Sequence, residues 1–219
     1  IVDKDFDKKV QRTKKRPIAS GKISVKNSLI YVVILCSIAF VILLQFNLLT
    51  IILGLCSMLL AFSYPFMKRI TYWPQLFLGL TFNWGIIMAW SSVNDNISVE
   101  IVILYIAAIF WTLGYDTIYG AQDIEDDEII GIKSTSVKFK NNIKLFVSSC
   151  YFLTSFLIVY LLHKDFGLNF YTLSVITFIL SLMYQIIKFD KNDKKKCLQL
   201  FKINNLSGLF LFVGIYLIN

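Results

Sequence analysis

Seven long apolar runs dominate this chain, at roughly residues 28–47, 49–66, 75–93, 98–118, 143–162, 168–187 and 201–218. Each comes close to the length of about 20 mainly apolar residues that a bilayer-spanning helix requires. None has a Lys or Arg in its middle, and the charged residues within them, Lys144, Lys202, Glu100 and Asp116, fall near run ends. The hydrophobic fraction of 57% and mean hydropathy of +0.66 are too high for an ordinary soluble domain of this length. The polar connectors are also too short to build the shell of a large soluble bundle. The runs predict one all-α domain over residues 1–219, a multi-pass transmembrane helix bundle.

Charge placement supports the same span count. If residues 1–27 lie on one side and each run crosses, 21 of the 22 basic residues fall on one face, and only Lys164 falls on the other. By the positive-inside rule, the basic face is cytoplasmic, or faces the matrix in an organelle. A bacterial or mitochondrial inner membrane satisfies this pattern. The net charge of +8 then fits anionic headgroups and anionic substrates, with no nucleic acid needed. The four cysteines have no zinc-site or disulfide spacing.

Acids are scarce, and they are clustered. Of 14, three lie at Asp3, Asp5 and Asp7, and five at Asp123, Glu125, Asp126, Asp127 and Glu128. Both clusters fall on the basic face, within the longest polar stretches, 1–27 and 119–142, as a weak internal duplication would place them. Asp3 and Asp7 are spaced i,i+4, as are Asp123 and Asp127, so on a helix each pair faces one way. Each pair can offer two carboxylates to one hard cation, and Mg²⁺ commonly bridges one or two carboxylates to substrate phosphates. A solvated acidic helix end is the plainer alternative for one cluster, but two on one face favour metal. Arg12, Lys14, Lys15 and Arg16 follow the first cluster, Lys133 follows the second, and Tyr64 and Lys68 form a Tyr-x-x-x-Lys step. Such donors beside bound Mg²⁺ form a diphosphate clamp, although Lys14 and Lys15 read as ordinary positive-inside charge. Asp116 lies near a span end, about two turns deeper than Asp123, and an acid inside a membrane helix points to function. It is a candidate substrate-pocket residue, with a buried Lys-paired acid as the alternative. His163, on the opposite face, receives no catalytic role, and Tyr72, Trp73 and Trp84 are expected as interfacial anchors.

These residues resemble the intramembrane aromatic prenyltransferases of the UbiA superfamily. Asp3 and Asp7 match the second half of the family motif Asn-Asp-x-x-Asp-x-x-x-Asp, and Asp123 to Asp127 match its Asp-x-x-x-Asp. Tyr64 and Lys68 match Tyr-x-x-x-Lys, and Arg12 to Pro17 resembles Arg-Thr-x-x-Arg-Pro. GYDTIYGAQDIEDD, GIKST and YPFMKRITYWPQ look most like the branch that prenylates 4-hydroxybenzoate in ubiquinone synthesis. The resemblance implies nine spans, so the chain is expected to be a fragment lacking two helices and the Asn-Asp half-motif, and inactive alone. It implies catalytic, Mg²⁺-holding Asp3, Asp7, Asp123 and Asp127 at cytoplasmic-side helix ends. Diphosphate contacts would come from Arg12, Tyr64, Lys68 and Lys133, and the substrates would be polyprenyl diphosphate and 4-hydroxybenzoate. Another acceptor (naphthoate, a different phenol, haem) is an alternative. So is a multi-pass transporter with an acidic cation site, although acids confined to helix ends on one face argue against it.

Overall fold

A computed structural model describes residues 1–9 and 13–216. The short helix α1 covers Lys4–Lys9, and the Asp7 amide donates to the Asp3 carbonyl at 2.8 Å, so both acids share one helical turn. The spans α2 (Val25–Leu43) and α3 (Leu48–Ile70) follow, capped by the Ser24 and Asn47 side chains. Next come α4 (Pro74–Phe82), α5 (Trp84–Asn94) and α6 (Val99–Gly120). A 3₁₀ turn at Ala121–Asp123 leads into α7 (Ile124–Ile130) and α8 (Thr135–Lys138). The chain then runs through α9 (Ile143–Leu162), α10 (Phe170–Lys188) and α11 (Lys194–Tyr216).

The seven predicted spans are present as helices long and apolar enough to cross a membrane. Helices suit this setting because hydrocarbon offers no partner for an unpaired backbone group. The span ends differ from the apolar runs where polar residues still hold helix. Ser24 starts the first span earlier, and α11 begins at Lys194, so a lysine-rich turn forms its basic end. The third span is not one helix: it breaks at Asn83. The Asn83 amide donates to the Gly79 and Ala108 carbonyls and to Thr112 Oγ1, at 2.9, 3.2 and 2.8 Å. Thus the break stays satisfied by α6.

Helix α6 is the axis of the bundle. On one side it joins α9, α10 and α11 around Val147, Tyr151, Val175, Phe178 and Leu182. On the other it meets α3, α4 and α5 around Leu53, Ile87, Tyr105 and Ile109. Close approach depends on small residues, the usual device in membrane bundles. A Cβ at Gly114 would lie 2.5 Å from the Tyr151 ring, and one at Gly79 would lie 3.1 Å from the Ile109 carbonyl oxygen. A polar network crosses the larger core. Tyr151 donates to Gln185 Oε1 at 2.7 Å, Asn204 Nδ2 donates to the same oxygen at 3.0 Å, and Trp111 Nε1 donates to Asn204 Oδ1 at 2.8 Å. Helix α2 packs only at the margin, against α3, with its apolar side chains outward.

The aromatic anchors divide. Tyr72 and Trp73 sit at the basic end of a span, with Lys138 Nζ 4.6 Å over the Trp73 ring. Trp84 is instead a packing residue well inside the span. Its Nε1 donates to the Leu53 carbonyl at 3.0 Å, and its ring meets Tyr105 edge-on.

Candidate active site

At the basic end of the bundle, the C-terminal turn of α3, the N-terminus of α4, the last turns of α6 and helix α7 surround a cavity of about 240 Å³. The N-terminal segment closes its remaining side. Asp3 and Asp7 enter from that segment; Asp116, Asp123 and Asp127 enter from α6, the 3₁₀ turn and α7. The two acidic clusters, over a hundred residues apart in sequence, therefore face each other across one space. Tyr64 and Lys68 line it from successive turns of α3, and Lys133 lines it from the loop after α7. Arg12 lies outside the described residues.

Local structure explains the convergence. Lys68 occupies the last turn of α3, where a cation is favoured by the helix dipole. Its Nζ lies 2.6 Å from Asp3 Oδ2, while Arg69 approaches Asp3 Oδ1 at 3.5 Å. Asp7 accepts two bonds from Arg16 Nη1, at 3.0 and 3.1 Å, and the Thr13 hydroxyl donates to the Asp7 carbonyl at 3.0 Å. On the opposite wall, the 3₁₀ turn tightens the chain after α6 and buries Asp123. Gly131, at φ 72°, then reverses the chain after α7.

The loop after Gly131 straps the walls together. The Lys133 amide donates to the Lys68 carbonyl at 2.9 Å, and Lys133 Nζ reaches the Ile70 carbonyl at 3.1 Å. The Thr135 amide donates to Gln75 Oε1 at 3.0 Å. The Thr135 and Thr117 hydroxyls meet at 2.7 Å, and Ser136 donates to the Thr117 carbonyl at 2.8 Å. This strap fixes α3, α4 and α6 relative to one another, just below the acids.

Other cluster members face elsewhere. Glu125 pairs with Lys194 at 3.3 Å and Glu128 with Lys140 at 2.6 Å, so both serve as surface contacts of α7. His163, on the opposite face, bonds the Tyr160 carbonyl through Nδ1. Arg16, Thr13, Gln75 and Ser134 also line the cavity, although none was among the site residues expected from sequence. Arg16 did carry a signal, as the second arginine of the Arg-Thr-x-x-Arg-Pro resemblance. Thr13 shares that stretch, and Gln75 and Ser134 lie in YPFMKRITYWPQ and GIKST, but their uncharged polar side chains gave no chemical signal of their own.

The donor set fits a hard divalent cation. Carboxylate pairs on two walls offer oxygen only, as Mg²⁺ prefers, and leave space between them for phosphate oxygens. Among the described residues, no group of three acids is already gathered into a cage. Mg²⁺ does not require one, since it keeps several waters and is commonly held by one or two carboxylates with substrate phosphates. A second, mainly apolar groove of about 790 Å³ lies between α2 and α3, lined in part by Ile18, Leu29, Val32 and Phe62. It shares Asp3, Asp7, Arg16 and Pro65 with the polar cavity, so the two adjoin.

An all-helical membrane bundle with paired aspartates facing each other at its basic end defines a class. The chain belongs to the UbiA prenyltransferase family, whose model matches residues 1–207. Among its relatives, it is 41% identical over 219 residues to the mitochondrial 4-hydroxybenzoate polyprenyltransferase of Rattus norvegicus, covering 99% of this chain and 58% of that protein. The Bos taurus counterpart is 42% identical, with 99% and 59% covered. The 4-hydroxybenzoate octaprenyltransferase of Francisella tularensis subsp. mediasiatica is 42% identical, with 97% and 75% covered. The chain thus spans under two thirds of the length of the mammalian relatives. Its fold matches the apo structure of a UbiA homolog from Aeropyrum pernix K1 at a TM-score of 0.83 and 22% identity, covering 98% of this chain and 80% of that one.

Proposed function

We propose that this chain carries the active site of a Mg²⁺-dependent prenyltransferase that joins a polyprenyl group to a ring carbon of 4-hydroxybenzoate, a step of ubiquinone biosynthesis. The observation that carries this reading is the meeting of Asp3 and Asp7 with Asp123 and Asp127 across one cavity, beside Lys68, Arg16 and Tyr64. The names of the relatives supply the substrates. The basic face, with the active site, lies toward the cytoplasm of a bacterium or the matrix of a mitochondrion.

In this mechanism, Asp3, Asp7, Asp123 and Asp127 would hold Mg²⁺, which when bound would neutralise diphosphate charge. Lys68 and Tyr64 donate to phosphate oxygens and stabilise the negative charge that grows there as the allylic C–O bond breaks. Arg16 and Lys133 add positive charge at the rim, and Arg12 joins the clamp as the resemblance implies. The apolar groove between α2 and α3 takes the prenyl chain toward lipid. Helix packing below the cavity limits water, which would otherwise quench the allylic cation. The ring carbon ortho to the phenol then bonds to the allyl carbon, and loss of the ring proton restores aromaticity. Asp116, deeper on the α6 wall, faces the acceptor.

The test is prenyl transfer by the full-length purified protein, with polyprenyl diphosphate and 4-hydroxybenzoate, with and without Mg²⁺. Prenylated 4-hydroxybenzoate that depends on both Mg²⁺ and acceptor is expected. Transfer unaffected by chelation would overturn the metal assignment, and transfer only to another aromatic would overturn the acceptor.

A further inference from the structure

Gln75 is a buried polar residue with only half of its amide used by the fold. The residue is 6% exposed and lines the cavity wall. The Thr135 backbone N–H donates to its oxygen at 3.0 Å, and a backbone N–H can only donate. That contact fixes the amide orientation, so Oε1 faces the strap and the NH₂ faces the other way. There it lies against Gly120, where an added Cβ would come within 3.4 Å of Nε2. Among the described residues, Nε2 has no acceptor. Yet among the described residues no buried side-chain nitrogen or oxygen is left sealed without a partner, so Nε2 keeps access to open space, and the space that Gln75 lines is the cavity.

The backbone points the same way. Gln75 is the second residue of α4, and the helix begins at Pro74 after Trp73, the N-cap residue, whose own side chain makes no capping hydrogen bond. Proline has no N–H, and the uncapped first turn carries the positive end of the helix dipole. An amide NH₂ is a donor only, so this corner cannot hold a metal ion. It suits an oxygen bearing negative charge.

We infer that Gln75 is a substrate-binding residue whose Nε2 donates to an anionic oxygen of the bound substrate. This rests on the proposed prenyl-transfer reading. Two sources share that chemistry: the diphosphate of the prenyl donor, and the carboxylate or phenolic oxygen of the aromatic acceptor. The carboxylates hold cations while Gln75, on the α4 wall, receives an oxyanion, so the cavity sorts its ligands by charge.

Two variants separate binding from scaffolding. Gln75→Glu keeps an oxygen for the Thr135 amide but removes the NH₂. Gln75→Met keeps the volume and removes both. In the full-length protein, Gln75→Glu is expected to unfold near the wild-type temperature yet raise the KM of one substrate by roughly 10- to 100-fold, the size of one hydrogen bond to a charged group. A raised KM for the polyprenyl diphosphate places the oxygen on the donor, and a raised KM for 4-hydroxybenzoate places it on the acceptor. Gln75→Glu with wild-type KM for both substrates would overturn the inference, whether or not Gln75→Met is impaired, because Gln75 would then serve the strap alone. Wild-type protein that transfers no prenyl group would instead count against the proposed function. In that event, calorimetric binding of inorganic diphosphate and of 4-hydroxybenzoate makes the same comparison without turnover. Weaker binding of either by Gln75→Glu supports the inference, and equal binding of both by wild type and variant overturns it.

Discussion

Replacing Lys68 by Met separates phosphate binding from the ion pair that the side chain also makes. Lys68 Nζ lies 2.6 Å from Asp3 Oδ2, and the two side chains are 23% and 27% exposed. Water therefore reaches both partners, and the pair contributes about 1 kcal/mol or less to stability. Arg69 remains beside Asp3 in the variant, which limits that loss further. Catalysis should suffer much more. A donor placed where charge develops is worth roughly 10²- to 10³-fold in kcat, about 3–4 kcal/mol. Arg69→Met is the matched control. Arg69 also touches Asp3 and donates to the Val2 carbonyl at 2.8 Å, but it does not line the cavity. The assay is steady-state prenyl transfer by each full-length variant in detergent, with thermal unfolding measured in parallel. The expected outcome is small, similar shifts in melting temperature for both variants, a drop of at least a hundredfold in kcat for Lys68→Met, and less than threefold for Arg69→Met. Equal losses of activity would refute the reasoning, because Lys68 would then act only by holding Asp3.

Three further outcomes are expected. Asp7→Ala and Asp123→Ala should each abolish prenyl transfer, as should chelation of Mg²⁺ from the wild-type protein; near-full turnover in either variant would remove that carboxylate from the metal assignment. Glu125→Gln and Glu128→Gln should keep activity within about threefold of wild type, since their partners are the surface residues Lys194 and Lys140 and such exposed pairs are worth about 1 kcal/mol or less. Asn204→Leu should lower the unfolding midpoint, because it strands the buried Gln185 Nε2 at a cost of roughly 1–3 kcal/mol and also removes the acceptor of the half-buried Trp111 Nε1; an unchanged midpoint would show that the network re-pairs.

Much of the fold was legible because a bilayer imposes length and polarity on each span. The apolar runs give seven spans, and the structure has seven helices long and apolar enough to cross a membrane. The break at Asn83 was not legible, because that residue lies within a run whose neighbours are apolar. Its amide is satisfied in part by the Ala108 carbonyl and the Thr112 hydroxyl of α6, which adjoin it only in the folded bundle. Trp84 illustrates the same limit. Its distance along the span argues for packing, but its partners on α3 and α6 are tertiary.

The candidate site was legible wherever charge was unusual. Asp3, Asp7, Asp116, Asp123 and Asp127 stand out in a basic, apolar chain, and all of them line the cavity. Gln75 and Ser134 carry no such signal, and Arg16 carried one only through the Arg-Thr-x-x-Arg-Pro resemblance and its place among the basic residues after the first cluster.

Sequence alone determined that this chain crosses a membrane seven times and that two aspartate pairs occupy its basic end, because hydropathy and formal charge are properties of each residue wherever it lies. Only the tertiary structure decided which charges face each other. It directed Glu125 and Glu128 to surface lysines and Asp123 and Asp127 to the cavity. It also joined the Lys133–Ser136 loop to Lys68, Gln75 and Thr117. Those contacts depend on helix rotation and on the close approach that Gly79, Gly114 and Gly120 allow, which are set by packing between segments distant in the chain.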